Sequence, residues 1–525
     1  MLILRLAFFL MKEQSKLMKS VEIEDVFVRT KQLYPYQEAY IKNKYEALVE
    51  NESRDNIVFQ LPTGGGKTII FSEIARRYIE HQEKKILILT HRIELLKQTS
   101  VALEEAAVKC KLITSETEDI YDQKDYNCFL AMVETLNNRL KEDDEFLKGI
   151  DLVIVDEAHY NSFRKIFKYF EHAVILGVTA TPLSSNIHYP LRSNYRKLIV
   201  GDSIKDLIHN GFLSNAKTFT FDVKLGGLKV GIDGDYTVNS LDRIYMGFDM
   251  HQILLSAYKE KAKGTKTLIF NSSIATSKSV ENFFKIHNIP IRHLDSTSNK
   301  QERKDVLKWL KETPDAIVTS VGILTTGFDE PTVETIILNR ATRSLTLYHQ
   351  MVGRGSRRLP NKSEFSIIDL GNNAKRLGIW QDHIDWQDVF VNPDRFLEHL
   401  YDREQKMERG LMFTLSDEVM ARFPNTQNFD FDAEKEYQKL YLKGLKTLAV
   451  LDLAVDMHYE RIKENCTNYL DAVELINIIQ DEIQYILNVY ISCLSKATKN
   501  YFNFLLEEYN QKLHKKLKDN LPFSE

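Results

Sequence analysis

The chain is poor in the features that mark a special environment. Its 525 residues include only four cysteines, Cys110, Cys128, Cys466 and Cys493. No two of them stand in C-x-x-C spacing, which argues against a zinc site and against a disulfide framework. Reduced, buried thiols are the expectation. An excess of charge is also lacking: 70 basic against 74 acidic residues leave a formal net charge of −4 and a sequence pI of about 6.4. No global basic field draws this chain to a polyanion, so any such binding must come from a local groove. Long hydrophobic runs are missing too. The N-terminal run Met1–Met11 is too short to span a bilayer and is interrupted by Arg5. It has no basic n-region and no small-residue cleavage site. Residues 1–20 therefore read as a loose amphipathic extension, or as a start assigned too early, with Met11 and Met18 as alternatives. No membrane partner and a cytoplasmic location are expected. There is no short internal repeat and no low-complexity segment.

What is present is a globular composition, 43% hydrophobic and 27% charged. The length exceeds one core and predicts two to four domains. From about Asn56 to Thr181, short apolar runs alternate with helix-like segments. The runs are Ile57–Phe59, Ile86–Leu89, Phe129–Met132, Leu152–Val155 and Val174–Val178. Continuous apolar runs of this kind are buried parallel strands, and their alternation with helices predicts a doubly wound α/β sheet. A second set follows at Thr267–Phe270, Ala316–Val318, Thr335–Leu338 and Phe365–Ile368. Two tandem α/β domains, at 21–205 and 206–378, are the economical reading. Between the sets, Val223–Tyr236 carries glycines and an Asp-Gly pair, which predict a hairpin or loop insertion. Beyond about Leu377 glycine becomes sparse and amphipathic patterns lengthen. Residues 379–525 are expected to form a mostly α-helical domain.

The chemistry concentrates in two motifs. Leu61-Pro-Thr-Gly-Gly-Gly-Lys-Thr68 lies between a predicted strand and a predicted helix, the context of a phosphate-binding loop. Thr63, Gly64, Gly65 and Gly66 let backbone N–H groups wrap a polyphosphate. The following helix directs its positive end at the same anion. Lys67 is expected to reach the outer phosphates and Thr68 to hold Mg²⁺. The general pattern has glycine where Leu61 stands. The second motif, Asp156-Glu-Ala-His159, closes the run Leu152–Val155. Asp156 at a strand tip can bind Mg²⁺, and Glu157 can orient and deprotonate a water. An Asp-Glu pair alone is as readily a charged helix cap; the upstream phosphate loop makes it chemical.

From about Leu33 to Gly371 the chain resembles a superfamily 2 helicase or translocase of the DExH type, a group that often lacks the first loop glycine. The resemblance implies two RecA-like domains and ATP with Mg²⁺ as ligands. It also implies further roles. Leu33-Tyr-Pro-Tyr-Gln37 resembles the adenine-reading Q motif, with Gln37 on the base and Tyr34 where relatives often have Arg. Leu89–Gln98 resembles motif Ia, with His91 and Arg92 on a nucleic-acid backbone. Val133–Leu136 resembles a further backbone motif carrying Thr135, with Glu134 where relatives often have Gln. Gly177–Pro182, with Thr181, resembles motif III, and Leu268–Ser273, with Asn271, motif IV. Thr325–Pro331 resembles motif V, with Thr326 on the backbone and Gly327 and Asp329 towards the nucleotide. Gln350–Arg357 resembles motif VI, in which Gln350, Arg354 and Arg357 are catalytic and the two arginines reach the γ-phosphate. The basic-helix-end alternative is weak beside so many ordered motifs.

The motif variants are more similar to DNA-directed members than to DEAD-box RNA helicases. They resemble the RadD-type and UvsW-type helicases and restriction-enzyme motors, although a RadD-type cysteine cluster is missing. DNA is therefore the expected partner, in repair, recombination or replication. Two alternatives stay open: an RNA-directed DExH helicase, and a motor or switch subunit of a restriction or phage-defence system. A non-enzymatic scaffold is disfavoured by Lys67, Asp156, Glu157 and Arg357. In the C-terminal region, Gln511–Lys518 is basic at helical spacing and reads as a solvated face before it reads as a nucleic-acid contact. Trp380, Trp386 and Tyr401 read as packing residues before base-stacking ones. The helical domain could also receive protein partners.

Overall fold

A computed structural model describes residues 33–523, apart from 50–53, 83, 118–122, 146, 187, 222, 224, 232–233, 326, 413–416, 427–430 and 495–498. The proposed N-terminal extension lies outside the described residues. The chain divides into two compact units, Met1–Leu400 and Tyr401–Glu525.

The first unit holds two parallel sheets. In the first domain, helix α1 (Pro35–Val49) precedes β1 (Ile57–Gln60), α2 (Lys67–Gln82), β2 (Lys85–Thr90), α3 (Ile93–Glu105), β3 (Cys110–Ile113), β4 (Cys128–Met132), α4 (Val133–Glu142), β5 (Ile150–Asp156), α5 (Arg164–Phe167), β6 (Val174–Thr179) and β7 (Lys197–Val200). These seven strands order β3-β4-β2-β5-β6-β1-β7, all parallel. The second domain runs α6 (Ile204–His209), β8 (Asn215–Thr220), α7 (Val238–Tyr245), α8 (Phe248–Lys261), β9 (Thr267–Asn271), α9 (Ile274–Ile286), β10 (Ile291–Leu294), α10 (Lys300–Glu312), β11 (Ile317–Ser320), β12 (Thr335–Asn339), α11 (Leu345–Val352), β13 (Glu364–Asp369) and α12 (Asn373–Leu377). Its six strands order β10-β11-β9-β12-β13-β8, again parallel. Because parallel strands need crossover helices, both faces of each sheet are covered. The interior strands are accordingly buried along their length, as in Val58, Ile88, Val153, Ile269 and Ile337. Motif loops leave the C-terminal strand ends, where open α/β sheets place their ligands.

All nine predicted strands are present. The four without a predicted run, β3, β7, β8 and β10, are the four sheet edges. In the segment expected as a hairpin or loop insertion, Val230 and Tyr236 form an antiparallel bridge, and Gly231 donates to the Asp235 carbonyl at 2.7 Å.

The stretch 379–400, which begins where the sequence turns helical, packs on both α/β domains. Trp380 is fully buried in the second core, its ring 5.6 Å from Phe365. Helix α13 (Trp386–Val391) then reaches the first domain. Its Phe390 joins that core, Gln387 donates to the Leu198 carbonyl at 3.0 Å, and Arg192 donates to the Val391 carbonyl at 2.6 Å. Trp386 touches both cores.

Helix α14 (Pro393–Met412) contains the division between the units. The second unit is helical: α15 (Asp417–Arg422), α16 (Ala433–Leu442), α17 (Ala449–Asn465), α18 (Tyr469–Ile478), α19 (Gln480–Ser492) and α20 (Lys499–Asn520). Its core is built on Val450, Ala454, Ile462, Leu475, Ile483, Leu487, Leu513 and Leu517. A buried polar network crosses it, from the Tyr509 hydroxyl to His458 at 2.7 Å and from Arg461 to Glu482 at 2.9 Å. The basic Gln511–Lys518 stretch lies on α20. There Lys512 pairs with Asp452 at 2.8 Å and with Glu508, and Lys516 pairs with Asp456.

Removing a fully buried tryptophan leaves a large cavity. Trp380→Ala is expected to cost about 3–5 kcal/mol. Calorimetry should show the transition of the first unit moved down, with Trp380→Phe intermediate.

Candidate functional site: a nucleotide cleft between the two α/β domains

The site begins where β1 ends. Gly64 and Gly66 take φ of +94° and +78°, a left-handed backbone that a side chain would strain. The loop is held from both sides. The Tyr36 hydroxyl donates to the Gly65 carbonyl at 2.9 Å. A Cβ on Gly66 would lie 2.4 Å from Gln37 Nε2, and Gln37 Oε1 accepts from the Tyr34 amide at 3.0 Å. Tyr34 and Tyr36 stack against Phe212, at 5.1 and 4.3 Å between ring centroids. Leu61, the unusual loop residue, is fully buried in the core beneath the loop, and a Cβ on Gly65 would meet its Cγ at 2.7 Å. The side chain plugs the space under the cradle.

Lys67 begins α2 and points its ammonium at the Leu61 carbonyl, 3.4 Å away. Burial lowers its pKa, with Arg354 and Arg357 adding to the effect and Glu157 and Asp156 opposing it. Asp156, at the tip of β5, accepts from the Glu157 amide at 3.0 Å. Burial first, then the Glu157 charge, raises its carboxyl to about 7, with Lys67 opposing. Burial also pushes Glu157 up, but Lys67, helped by His159, His91 and Arg354, outweighs it and holds Glu157 below the usual carboxylate range. Glu157 has φ of +54°. A left-handed backbone at a non-glycine residue costs about 1–3 kcal/mol and is maintained only by its surroundings. His159 Nδ1 lies 3.4 Å from Glu157 Oε2 and 2.9 Å from the Thr179 hydroxyl.

Among the described residues, Glu157 Oε2, His159 Nε2 and Gln350 Nε2 are buried with no hydrogen-bond partner. Buried polar atoms without partners are costly, and their convergence here marks a place built for a polar ligand. With the glycine cradle, the Thr68 hydroxyl and the Asp156 carboxylate, this donor set fits a nucleotide polyphosphate and a hard divalent cation.

The second domain closes the other side. A Cβ on Gly353 would fall 2.4 Å from Thr63 Cγ2. A Cβ on Gly64 would meet Ser356 Oγ at 2.8 Å and Arg357 Nη1 at 3.0 Å. Arg357 is aimed by Asp329, Nε to Oδ1 at 2.8 Å. Arg354 instead donates to the Thr325 carbonyl at 2.6 Å and to the Phe328 carbonyl, bracing the motif V loop. Gly327, at φ of +69°, sits against Glu94, so a Cβ there would lie 2.6 Å from Glu94 Cβ. The Thr179 hydroxyl accepts from the Thr181 amide at 3.2 Å, and the Thr181 hydroxyl donates to Thr346 of α11 at 2.9 Å. A hydrogen-bonded chain thus runs from His159, whose Nδ1 lies 3.4 Å from Glu157 Oε2, through Thr179 and Thr181 into the second domain.

The structure brings Gln37, Thr63, Gly64, Gly65, Gly66, Lys67, Thr68, Asp156, Glu157, Gln350, Arg354, Arg357 and Asp329 to one cleft. It relocates three residues expected on a nucleic-acid backbone. Thr181 is 1% exposed and bonded across the domain boundary. Asn271 is equally buried, donating to Thr319 at 2.8 Å and accepting from Asn339 at 2.8 Å. Both are interior polar links, because strands β6 and β9 are central and their ends are covered. His91 stacks on Tyr160 at 4.1 Å with both ring nitrogens buried, so it forms the cleft wall. Arg92 and Thr135 remain half-exposed, and Arg92 also donates to the Gly322 carbonyl at 3.3 Å. Thr326 lies outside the described residues. Tyr36, Thr179, Thr346 and Gly353 were not singled out from the sequence; Tyr36, Thr179 and Gly353 lie inside motifs named above, and Thr346 lies in none. A Ser277–His293–Asp295 alignment at 2.8 and 2.6 Å has hydrolase spacing, but Ser277 is 0% exposed and hydrogen-bonded with Thr319 as well. It is a core network.

Comparison with known proteins follows this geometry. The family description "Type III restriction enzyme, res subunit" matches residues 30–184, and "Helicase conserved C-terminal domain" matches residues 249–358. The chain belongs to the superfamily 2 helicases and translocases. Within that family its relatives include IRC3 of Saccharomyces cerevisiae, provisionally named an ATP-dependent helicase. That protein is 28% identical over 408 residues, covering 72% of this chain and 59% of the relative. A 51.5 kDa protein of a Lactococcus phage is 26% identical, covering 74% and 81%. The ATP-dependent DNA helicase uvsW of Enterobacteria phage T4 is 20% identical, covering 69% and 73%. The chain thus spans less than two thirds of the yeast relative's length. In fold it is similar to a fragment of an HsdR-type restriction subunit from Vibrio vulnificus YJ016 (TM-score 0.50, 22% identity, 70% of this chain and 68% of that one). It is similar also to the Type ISP restriction-modification enzyme LlaBIII (0.50, 17%, 92% and 40%).

Two outcomes follow from the cleft. Gly353→Ala keeps a helical backbone but drives a methyl into Thr63. ATP turnover is expected to fall by at least about 10-fold, while the thermal midpoint moves far less than in Trp380→Ala. The second concerns acid. Burial holds His349 at about 4, below its unfolded value near 6.5. The unfolded chain therefore binds the proton first as pH falls. Stability is fully present above about pH 6.5 and declines by about 3 kcal/mol towards pH 4. Urea titrations over that range should show the decline, less steep in His349→Phe.

Proposed function

We propose that the chain is an ATP-driven DNA helicase or translocase, acting in repair, recombination or replication. The observation that carries this is the seating of Arg357 and Gly353 of the second domain on Gly64 and Thr63 of the first. A nucleotide cleft completed by a second domain converts hydrolysis into domain movement, which a one-domain phosphotransfer site does not. DNA is favoured over RNA by the motif variants and by the likeness to the ATP-dependent DNA helicase uvsW of phage T4.

In this reading the Gly64–Gly66 backbone and Lys67 bind the phosphates. Thr68 and Asp156 would hold Mg²⁺, which supplies charge neutralisation at the phosphates. Glu157, with its free Oε2 inside the cleft, orients the water and accepts its proton. His159 fixes the Glu157 carboxylate. Gln350 positions the water from the opposite wall. Arg357 stabilises charge on the transferred group, and Arg354 positions motif V so that Gly327 and Asp329 keep their places. Gln37 fixes the loop and faces the base. Arg92, Thr135 and Thr326 contact the nucleic-acid backbone, so the motor is largely indifferent to base sequence.

A second reading, the motor of a restriction or phage-defence assembly, draws support from the likeness to LlaBIII over 92% of this chain. In that case the helical unit receives partner subunits.

ATPase assays across single-stranded, duplex and forked DNA, RNA and hybrids test both. DNA is expected to stimulate turnover, and Lys67→Ala or Glu157→Gln to lower it by at least about 100-fold. Stimulation by RNA alone overturns the DNA assignment. Stimulated turnover that displaces a triplex strand but opens no duplex favours the second reading.

A further inference from the structure

One cationic and aromatic ledge on the first domain is used by nothing above. Helix α5 follows β5, and residues 181–190 follow the neighbouring β6, so both leave the C-terminal sheet edge on which α4 and Thr135 also begin. The Arg164 guanidinium lies over the Tyr189 ring, 4.5 Å from its centroid, and Tyr189 is 51% exposed. Arg164 Nη1 is buried and has no hydrogen-bond partner among the described residues. Lys168 is exposed beside it, and Lys165 reaches Glu134, the neighbour of Thr135, at 2.5 Å.

The ledge is also joined to the cleft by hydrogen bonds. Asn161 Nδ2 donates to Ser184 Oγ at 2.8 Å. The Ser185 amide donates to the His159 carbonyl at 2.9 Å. Behind it, Pro182 and Pro190 line a cavity of about 40 Å³ with Val389 and Phe390 of α13. A guanidinium with one nitrogen free of hydrogen-bond partners, held over a half-open tyrosine ring, offers positive charge and a π-face within one side chain's reach. Nucleic acid presents that pairing of anion and planar ring at every nucleotide. Continuity with Thr135 and direct attachment to His159 place the surface where a translocating strand would be sensed by the ATP site.

We infer that Arg164, Lys168 and Tyr189 form a second nucleic-acid contact, beyond Arg92 and Thr135, with the backbone on the cations and a base or sugar on the tyrosine ring. The inference rests on the motor reading above. The test uses the full chain and fluorescein-labelled single-stranded and duplex DNA, with anisotropy read across a salt series. Arg164→Gln, Lys168→Glu and Tyr189→Ala are each expected to weaken binding by about 5–30-fold, with Tyr189→Phe close to the parent. Arg164→Gln should reduce the slope of log affinity against log salt by about 1. The DNA concentration giving half-maximal ATPase should rise by the same factor as the dissociation constant. If Arg164→Gln unfolds by circular dichroism, the two exposed-site variants carry the test. Unchanged affinity and salt slope in folded variants overturn the ledge alone. An equal loss of binding to polyglutamate assigns it to an acidic protein partner and overturns it too. A parent chain whose ATPase no nucleic acid stimulates overturns the motor reading instead.

Discussion

The contact of the second domain with the phosphate loop is the constraint on which the rest depends. Gly353 touches Thr63, and Gly64 leaves room for Ser356 and Arg357, at separations where one methyl group would not fit. Removing a Cβ is the cheapest way to bring two backbones together, and glycine's entropic cost is offset here by the close approach of the two domains that it permits. Glu157 Oε2 in the first domain and Gln350 Nε2 in the second are both buried without a hydrogen-bond partner among the described residues.

Electrostatics makes the same site responsive. Lys67 lies close to both Asp156 and Glu157, and Arg354 close to Glu157, in a volume largely removed from water. No member is comfortable alone: burial lowers Lys67 and raises Asp156, while Lys67 holds Glu157 ionised. Such a balance is sensitive to the arrival of a polyanion and to its departure. The left-handed backbone at Glu157 adds a conformational reserve. The hydroxyl chain from His159 to Thr346 gives a physical route by which a change at Glu157 is felt in α11.

Legibility followed burial. The nine interior strands announced themselves as unbroken apolar runs, because a strand covered on both faces can tolerate little else. The four edge strands did not. Lys197-Leu-Ile-Val200 and Cys110-Lys-Leu-Ile113 mix polar and apolar residues, since one side meets solvent or a loop. The glycine loop and the carboxylate pair were legible as motifs because the spacing of such segments is set within a few residues. His91, Thr181 and Asn271 were misplaced for the converse reason. A motif gives the order of residues along the chain but not which way a side chain turns at a strand end. Thr346 carried no signal, since it matters only through a partner far away in sequence.

The linear sequence by itself determined the alternation of strands and helices, the phosphate loop with its buried Leu61, and the carboxylate pair at the end of β5. These are local properties, set by backbone geometry and hydrophobic period over a few residues. The tertiary structure alone decided that Arg357 stands at the cradle while Arg354 braces motif V. It alone brought Thr181 to the domain boundary rather than to a nucleic-acid strand, and stacked Arg164 on Tyr189. Those outcomes depend on pairs more than twenty residues apart, whose approach is fixed only when a core has packed and, for Arg357 at the cradle and Thr181, when the two domains meet.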